Sequence, residues 1–172
     1  MISMTSSTAQ VDPTAAPPQE DQWLVRAVNL ALRNVTAGGG PFGAVVVRGG
    51  VAVGTGQNRV TRDHDPTAHA EVMAIRDACG RLGVFSLAGA CLYSSCEPCP
   101  LCLTAALWAR LDRVVYAANR NDAARAGFDD RAFYDLLRRD RAAWPMPVVE
   151  RRIACAEAPI EAWLAYSARV EY

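Results

Sequence analysis

His69-Ala70-Glu71, followed later in the chain by Pro98-Cys99-Pro100-Leu101-Cys102, supplies one imidazole, two thiols and one carboxylate that could serve a single metal. Two thiolates and a neutral imidazole suit zinc and leave the ion with no net charge. Catalytic zinc has three protein ligands and keeps a fourth position for water. Water bound there ionises near pH 7, against about 15.7 in bulk. Hydroxide added to an amidine-like ring carbon gives a tetrahedral centre carrying an amino group, and ammonia leaves only when that nitrogen gains a proton. Glu71 lies beside the ligands without being needed as one, so it is the natural proton shuttle. A structural zinc would need a closed four-ligand shell. Cys96 could complete such a shell on paper, but Glu71 would then have no role.

The spacing places these groups. Residues two apart on a helix point in different directions, so His69 can face a metal while Glu71 lies alongside the water. Cys99 and Cys102 share one face of a turn. Pro98 suits a first-turn position. A helix N-terminus favours thiolate, so two helix N-termini are expected to converge on the ion. Cys79, Cys91 and Cys155 are isolated and read as small buried apolar residues.

Helical spacing of Trp23, Ala27, Leu30 and Ala31 predicts a helix over 21–36, broken at Gly38-Gly39-Gly40-Pro41. Phe42–Val47 and Val51–Gln57 read as a hairpin across Gly49-Gly50. Asp65-Pro66-Thr67 is expected to open a helix to Leu82. Further strands are expected at 90–94, 113–117 and 148–153, with helices over 99–110, 129–138 and 159–169. This alternation predicts a three-layer α/β/α sandwich around a five-stranded mixed sheet. Residues 1–19, rich in Ser, Thr, Ala and Pro, read as a flexible leader before one domain over 20–172.

The chain has 172 residues, half of them hydrophobic, with 18 basic and 18 acidic side chains. That balance argues against a nucleic-acid partner, which demands a basic face, and Arg138-Arg139-Asp140-Arg141 reads as a solvated helix end. No apolar run reaches the ~20 residues of a membrane span. Met1–Glu20 lacks a secretory pattern, and thiolate ligands suit the cytoplasm.

The His-x-Glu and Pro-Cys-x-x-Cys elements match the zinc deaminase signature. With Gly40-Pro41-Phe42-Gly43-Ala44-Val45, Gly56-Gln57-Asn58, Ala126-Gly127-Phe128-Asp129-Asp130 and the terminal Glu171-Tyr172, the chain resembles the bacterial guanine deaminases of the cytidine deaminase superfamily over residues 21–172. The resemblance implies a cytidine deaminase-like fold and hydrolysis of guanine to xanthine and ammonia in purine catabolism. It implies one Zn2+ per subunit on His69, Cys99 and Cys102, and Glu71 as the shuttle, with Cys96 not a ligand. Asn58, Ala70, Phe42 and Trp108 would contact the base, and Asp130 would bind its far edge and assist proton transfer. It also implies a homodimer with exchanged C-terminal segments, through which Tyr172 reaches the other subunit's site. Read without the resemblance, Asp130 could equally cap a helix, Asn58 could equally occupy a turn, and Phe42 and Trp108 could be core. Guanosine, cytosine, a triazine or tRNA adenosine are the alternative substrates for the same zinc chemistry.

Overall fold

The computed structural model describes residues 19–171. Helix α1 (Gln19–Thr36) leads into the hairpin β1 (Gly43–Arg48) and β2 (Val51–Gln57), then a single turn α2 (Val60–Asp63) and helix α3 (Ala70–Leu82). Strand β3 (Ala90–Cys96), helix α4 (Pro100–Trp108) and strand β4 (Arg113–Ala118) follow. Short helices α5 (Arg120–Arg125) and α6 (Arg131–Leu136), a 3-10 turn (Arg141–Ala143) and α7 (Ala158–Ala165) complete the described chain. The sheet order is β2-β1-β3-β4, antiparallel except for the β3/β4 pair, which α4 connects.

Successive strand residues face opposite sides of a sheet, and the two sides bury different partners. Ala44, Val46 and Leu92 pack with Ala70, Ala74 and Ala78 of α3 and Ala106 of α4. Val45, Val47 and Tyr93 pack with Ala27 of α1 on the other side. The result is the expected α/β/α layering. The α3 layer sits unusually close to the sheet because its Ala70/Ala74/Ala78 ridge meets glycines of β2. A Cβ on Gly54 would stand 2.5 Å from the Ala74 carbonyl, and one on Gly56 would overlap the Ala70 carbonyl and Ala74 amide. Small residues on both surfaces therefore bring the N-terminus of α3 down onto the end of β3.

Several expectations are corrected. Among the described residues the sheet has four strands, not five: residues 148–153 carry no regular structure and join no ladder. Val148, Val149 and Ile153 favour a strand only where an edge is available to pair them, and here they are exposed and unpaired in any ladder. Helix α3 begins at Ala70, because Asp65 accepts from both the backbone N–H (2.8 Å) and the hydroxyl (2.6 Å) of Thr67, building a turn in place of a helix cap. Pro100, not Pro98, takes the first helical position of α4. Cys155 is exposed. Helix α1 starts at Gln19, and residues 1–18 and Tyr172 lie outside the described residues.

Gly56→Ala should destabilise the protein by about 1–3 kcal/mol or more through overpacking. Gly80→Ala, at an exposed α3 position with open space around it, should stabilise it by about 0.5–1 kcal/mol. Urea unfolding of both variants checks this; equal effects would refute the close-approach account.

Candidate active site

His69 is the N-cap residue of α3 and Cys99 that of α4, both with extended backbone and neither making a side-chain cap hydrogen bond. Their side chains turn toward each other. His69 Nδ1 lies 3.4 Å from both Cys99 Sγ and Cys102 Sγ, and the two sulfurs are 3.5 Å apart. Bond lengths of about 2.0 Å to nitrogen and 2.3 Å to sulfur in a tetrahedral site require edges of roughly 3.5–3.8 Å. The three donors therefore nearly span one face of a zinc tetrahedron, and they form a metal-capable group with no rearrangement. Cys96 is outside this group; its thiol is 3.7 Å from the Asn119 carbonyl, and burial pushes it up to about 11. A Cys3His structural shell is thus excluded by geometry.

Hydrogen bonding from the Cys102 thiol pulls Cys99 down to about 4, and Cys102 is correspondingly pushed up. Hydrogen bonding to Cys99 also raises His69. Glu71, in the first turn of α3, is buried. One carboxylate oxygen accepts from Ser94 of β3 at 3.3 Å and the other faces Cys102 Sγ at 3.4 Å. Burial is the first cause raising its pKa above the usual carboxylate range.

A cavity of about 640 Å³ opens over these groups, lined by His69, Glu71 and Cys99 and by Phe42, Asn58 and Asp130. Phe42 and Phe128 meet edge to face at 4.9 Å, forming an aromatic wall. Asp130 does sit at the N-cap of α6, but its side chain makes no cap hydrogen bond. Burial, then the neighbouring Cys99 charge, raises it. Asn58 does follow β2 into a turn, with its side-chain oxygen 3.4 Å from the Val60 amide, and it lines the cavity as well. Ala70 is fully buried between His69 and Glu71 in the chain and is not among the residues lining the cavity. Trp108 lies on the outer side of α4, 58% exposed and away from the cavity lining. The structure thus brings together His69, Glu71, Cys99, Cys102, Asn58, Phe42 and Asp130 and leaves Trp108 apart.

Asn34 escaped the sequence reading. It is fully buried in α1 and donates to the carbonyls of Gly40 and Asn58, both at 2.7 Å, while its oxygen accepts from Arg62 at 2.9 Å. It thereby ties the glycine loop to the Asn58 turn. Its signal was an Asn inside an otherwise apolar helical pattern, where that residue is intrinsically unfavourable.

The family model for the cytidine and deoxycytidylate deaminase zinc-binding region matches residues 17–118. The guanine deaminase of Bacillus subtilis (strain 168) is 47% identical over 153 residues, covering 88% of this chain and 98% of that protein. A tRNA-specific adenosine deaminase of Aquifex aeolicus is 37% identical over 99 residues, covering 58% and 66%. Among solved structures, the X-ray structure of the Bacillus subtilis guanine deaminase aligns at a TM-score of 0.85 over the same 88% and 98%. A Nitrosomonas europaea guanine deaminase aligns at 0.62, with 31% identity over 67% of this chain and 66% of that one. The fold and site define a zinc-dependent deaminase. The chain belongs to the cytidine and deoxycytidylate deaminase zinc-binding family.

Asn34→Ala leaves the buried Asn58 carbonyl and the half-buried Gly40 carbonyl without this donor and should cost about 1–3 kcal/mol. Asn34→Asp, which exchanges the donor for an acceptor, should do no better. A loss under about 0.5 kcal/mol by chemical denaturation would remove Asn34 from this role.

Proposed function

We propose that this chain is a guanine deaminase, adding water to guanine and releasing xanthine and ammonia. The observation that carries the reading is the shared cavity, in which a zinc-shaped Cys2His triad and a buried Glu71 stand opposite Asn58 and Asp130. The identity to the Bacillus subtilis guanine deaminase across nearly its full length supports the same substrate.

His69, Cys99 and Cys102 would hold the zinc, which when bound supplies a Lewis-acidic position where water ionises near neutral pH. The remaining work belongs to the protein. Phe42 and Phe128 receive the flat base. Asp130 accepts from guanine N–H donors, and Asn58 can donate or accept at a ring edge. Glu71 takes the first water proton and passes it to the ring nitrogen as oxygen bonds to the amino-bearing carbon. It then moves the second proton from that oxygen to the departing amine. The C–N bond breaks, a C=O forms and ammonia leaves, so both water protons are accounted for.

The active form is inferred to be a homodimer that exchanges its C-terminal segment. Between Leu137 and Glu171 only Trp144 is less than exposed. The segment nonetheless carries Val149, Ile153, Ile160, Trp163 and Leu164 in water. So large an apolar display marks an interface. Among the described residues β4 has one strand neighbour, β3, so its outer edge could take the 148–153 run of a second copy. Tyr172 would then reach the other copy's cavity. No described helix is long and apolar enough to cross a membrane, and free thiol ligands fit the reducing cytoplasm.

An ammonia-release screen over guanine, guanosine, cytosine and adenosine tests the substrate; guanosine preferred over guanine would overturn it. Glu71→Gln should keep one zinc by metal analysis while kcat falls about 10²–10⁴-fold, and parental turnover in that variant would refute the shuttle. Sedimentation should report a dimer. Deleting Tyr172 should lower guanine turnover more than thermal stability, and unchanged kinetics would place it outside the site.

A further inference from the structure

The geometry points to Tyr134 as a positioning residue that holds the substrate-reading helix α6 against the metal-binding turn. Its hydroxyl donates to the Pro98 carbonyl at 2.6 Å, one residue before the ligand Cys99. Asp130 stands four residues earlier on the same helix, a spacing that places two side chains on one helical face. Pro98 is fully buried, so the carbonyl that Tyr134 grips belongs to a segment already wedged in the core.

The tyrosine is itself held. The Arg120 guanidinium lies 3.7 Å over its ring and forms an ion pair with Glu97, between Cys96 and Pro98. Glu97 also accepts from the Arg120 backbone amide at 2.9 Å, and its own amide donates to the Ala118 carbonyl at 2.8 Å. A cation sandwiched between a carboxylate and an aromatic face is a favourable, oriented contact. The chain therefore runs from β4 through Arg120 and Glu97 to the ligand turn, and from the same turn through Tyr134 to Asp130. Loosening the Tyr134 contact frees two things together: the turn that presents Cys99, and the helix that presents Asp130.

This inference rests on reading Asp130 as the purine contact. Tyr134→Phe tests it, since the ring under Arg120 stays and only the hydroxyl is lost. Guanine KM should rise about five- to tenfold with kcat within about twofold, the scale of one hydrogen bond. Zinc release to a chromogenic chelator, which needs no substrate, should quicken at least about threefold. A role confined to stability would lower the melting temperature and leave both quantities unchanged, and either one unchanged overturns the proposal. A parent enzyme that releases no ammonia from guanine would sink the functional reading instead, and zinc release would still judge Tyr134.

Discussion

Everything in this protein depends on two helix N-termini being brought to one point. His69 and Cys99 occupy the N-cap positions of α3 and α4, where Ser, Thr, Asp or Asn would stabilise each helix by about 0.5–2 kcal/mol. Both helices forgo that bond so that their cap side chains can face one another at 3.4 Å. The compensation lies in the packing behind them. The alanine ridge of α3 seats against the glycines of β2, and Cys102 and Ala106 of α4 are buried. The positive ends of both helix dipoles then favour the thiolates that a metal requires. A local rule is broken at the site and satisfied by the framework around it, the expected pattern for a functional position.

The metal site was legible in the sequence because its geometry is short-range. His69 and Glu71, and Cys99 and Cys102, each fall within one turn, so spacing alone constrains their directions. The α/β layering was legible for a related reason: alternation in β1 and β3 sends Val45 and Val46 to different cores. What failed was long-range. Val148–Ile153 has strand composition but no strand, because composition does not name a pairing edge. The start of α3 was misplaced because Asp65 can cap a helix or close a turn, and only the Thr67 contacts decide between them. The resemblance places Trp108 against the base, whereas it is not among the residues lining the cavity of this chain, and spacing alone does not show which side of α4 a cavity occupies.

Asp130 and Asn58, the proposed base contacts, show that a structural position and a proposed functional one need not compete. Asp130 stands at a helix N-cap, yet its side chain makes no cap bond. Asn58 occupies a turn, and its side chain lines the cavity while its oxygen accepts a long hydrogen bond from the Val60 amide. Asn34 lets this happen for Asn58. By holding the Asn58 carbonyl and the Gly40 carbonyl at once, it fixes the turn through the main chain and leaves the amide group facing the cavity.

The two halves of the site differ in how they are supported. Glu71 and the ligand triad are set by β3 and by the inner faces of α3 and α4, which pack on the sheet core. Asp130 stands at the start of a six-residue helix beyond β4 that contains no buried residue. Hydrolysis of an aromatic amine demands placement of the shuttle and ligands to a fraction of an ångström, and the rigid core supplies it. Base selection needs only that a carboxylate meet N–H donors at hydrogen-bond distance, which a peripheral arm can supply if something ties it down. The ligand group and the proposed base contact can therefore line one cavity, each on the part of the fold whose stiffness matches its demand.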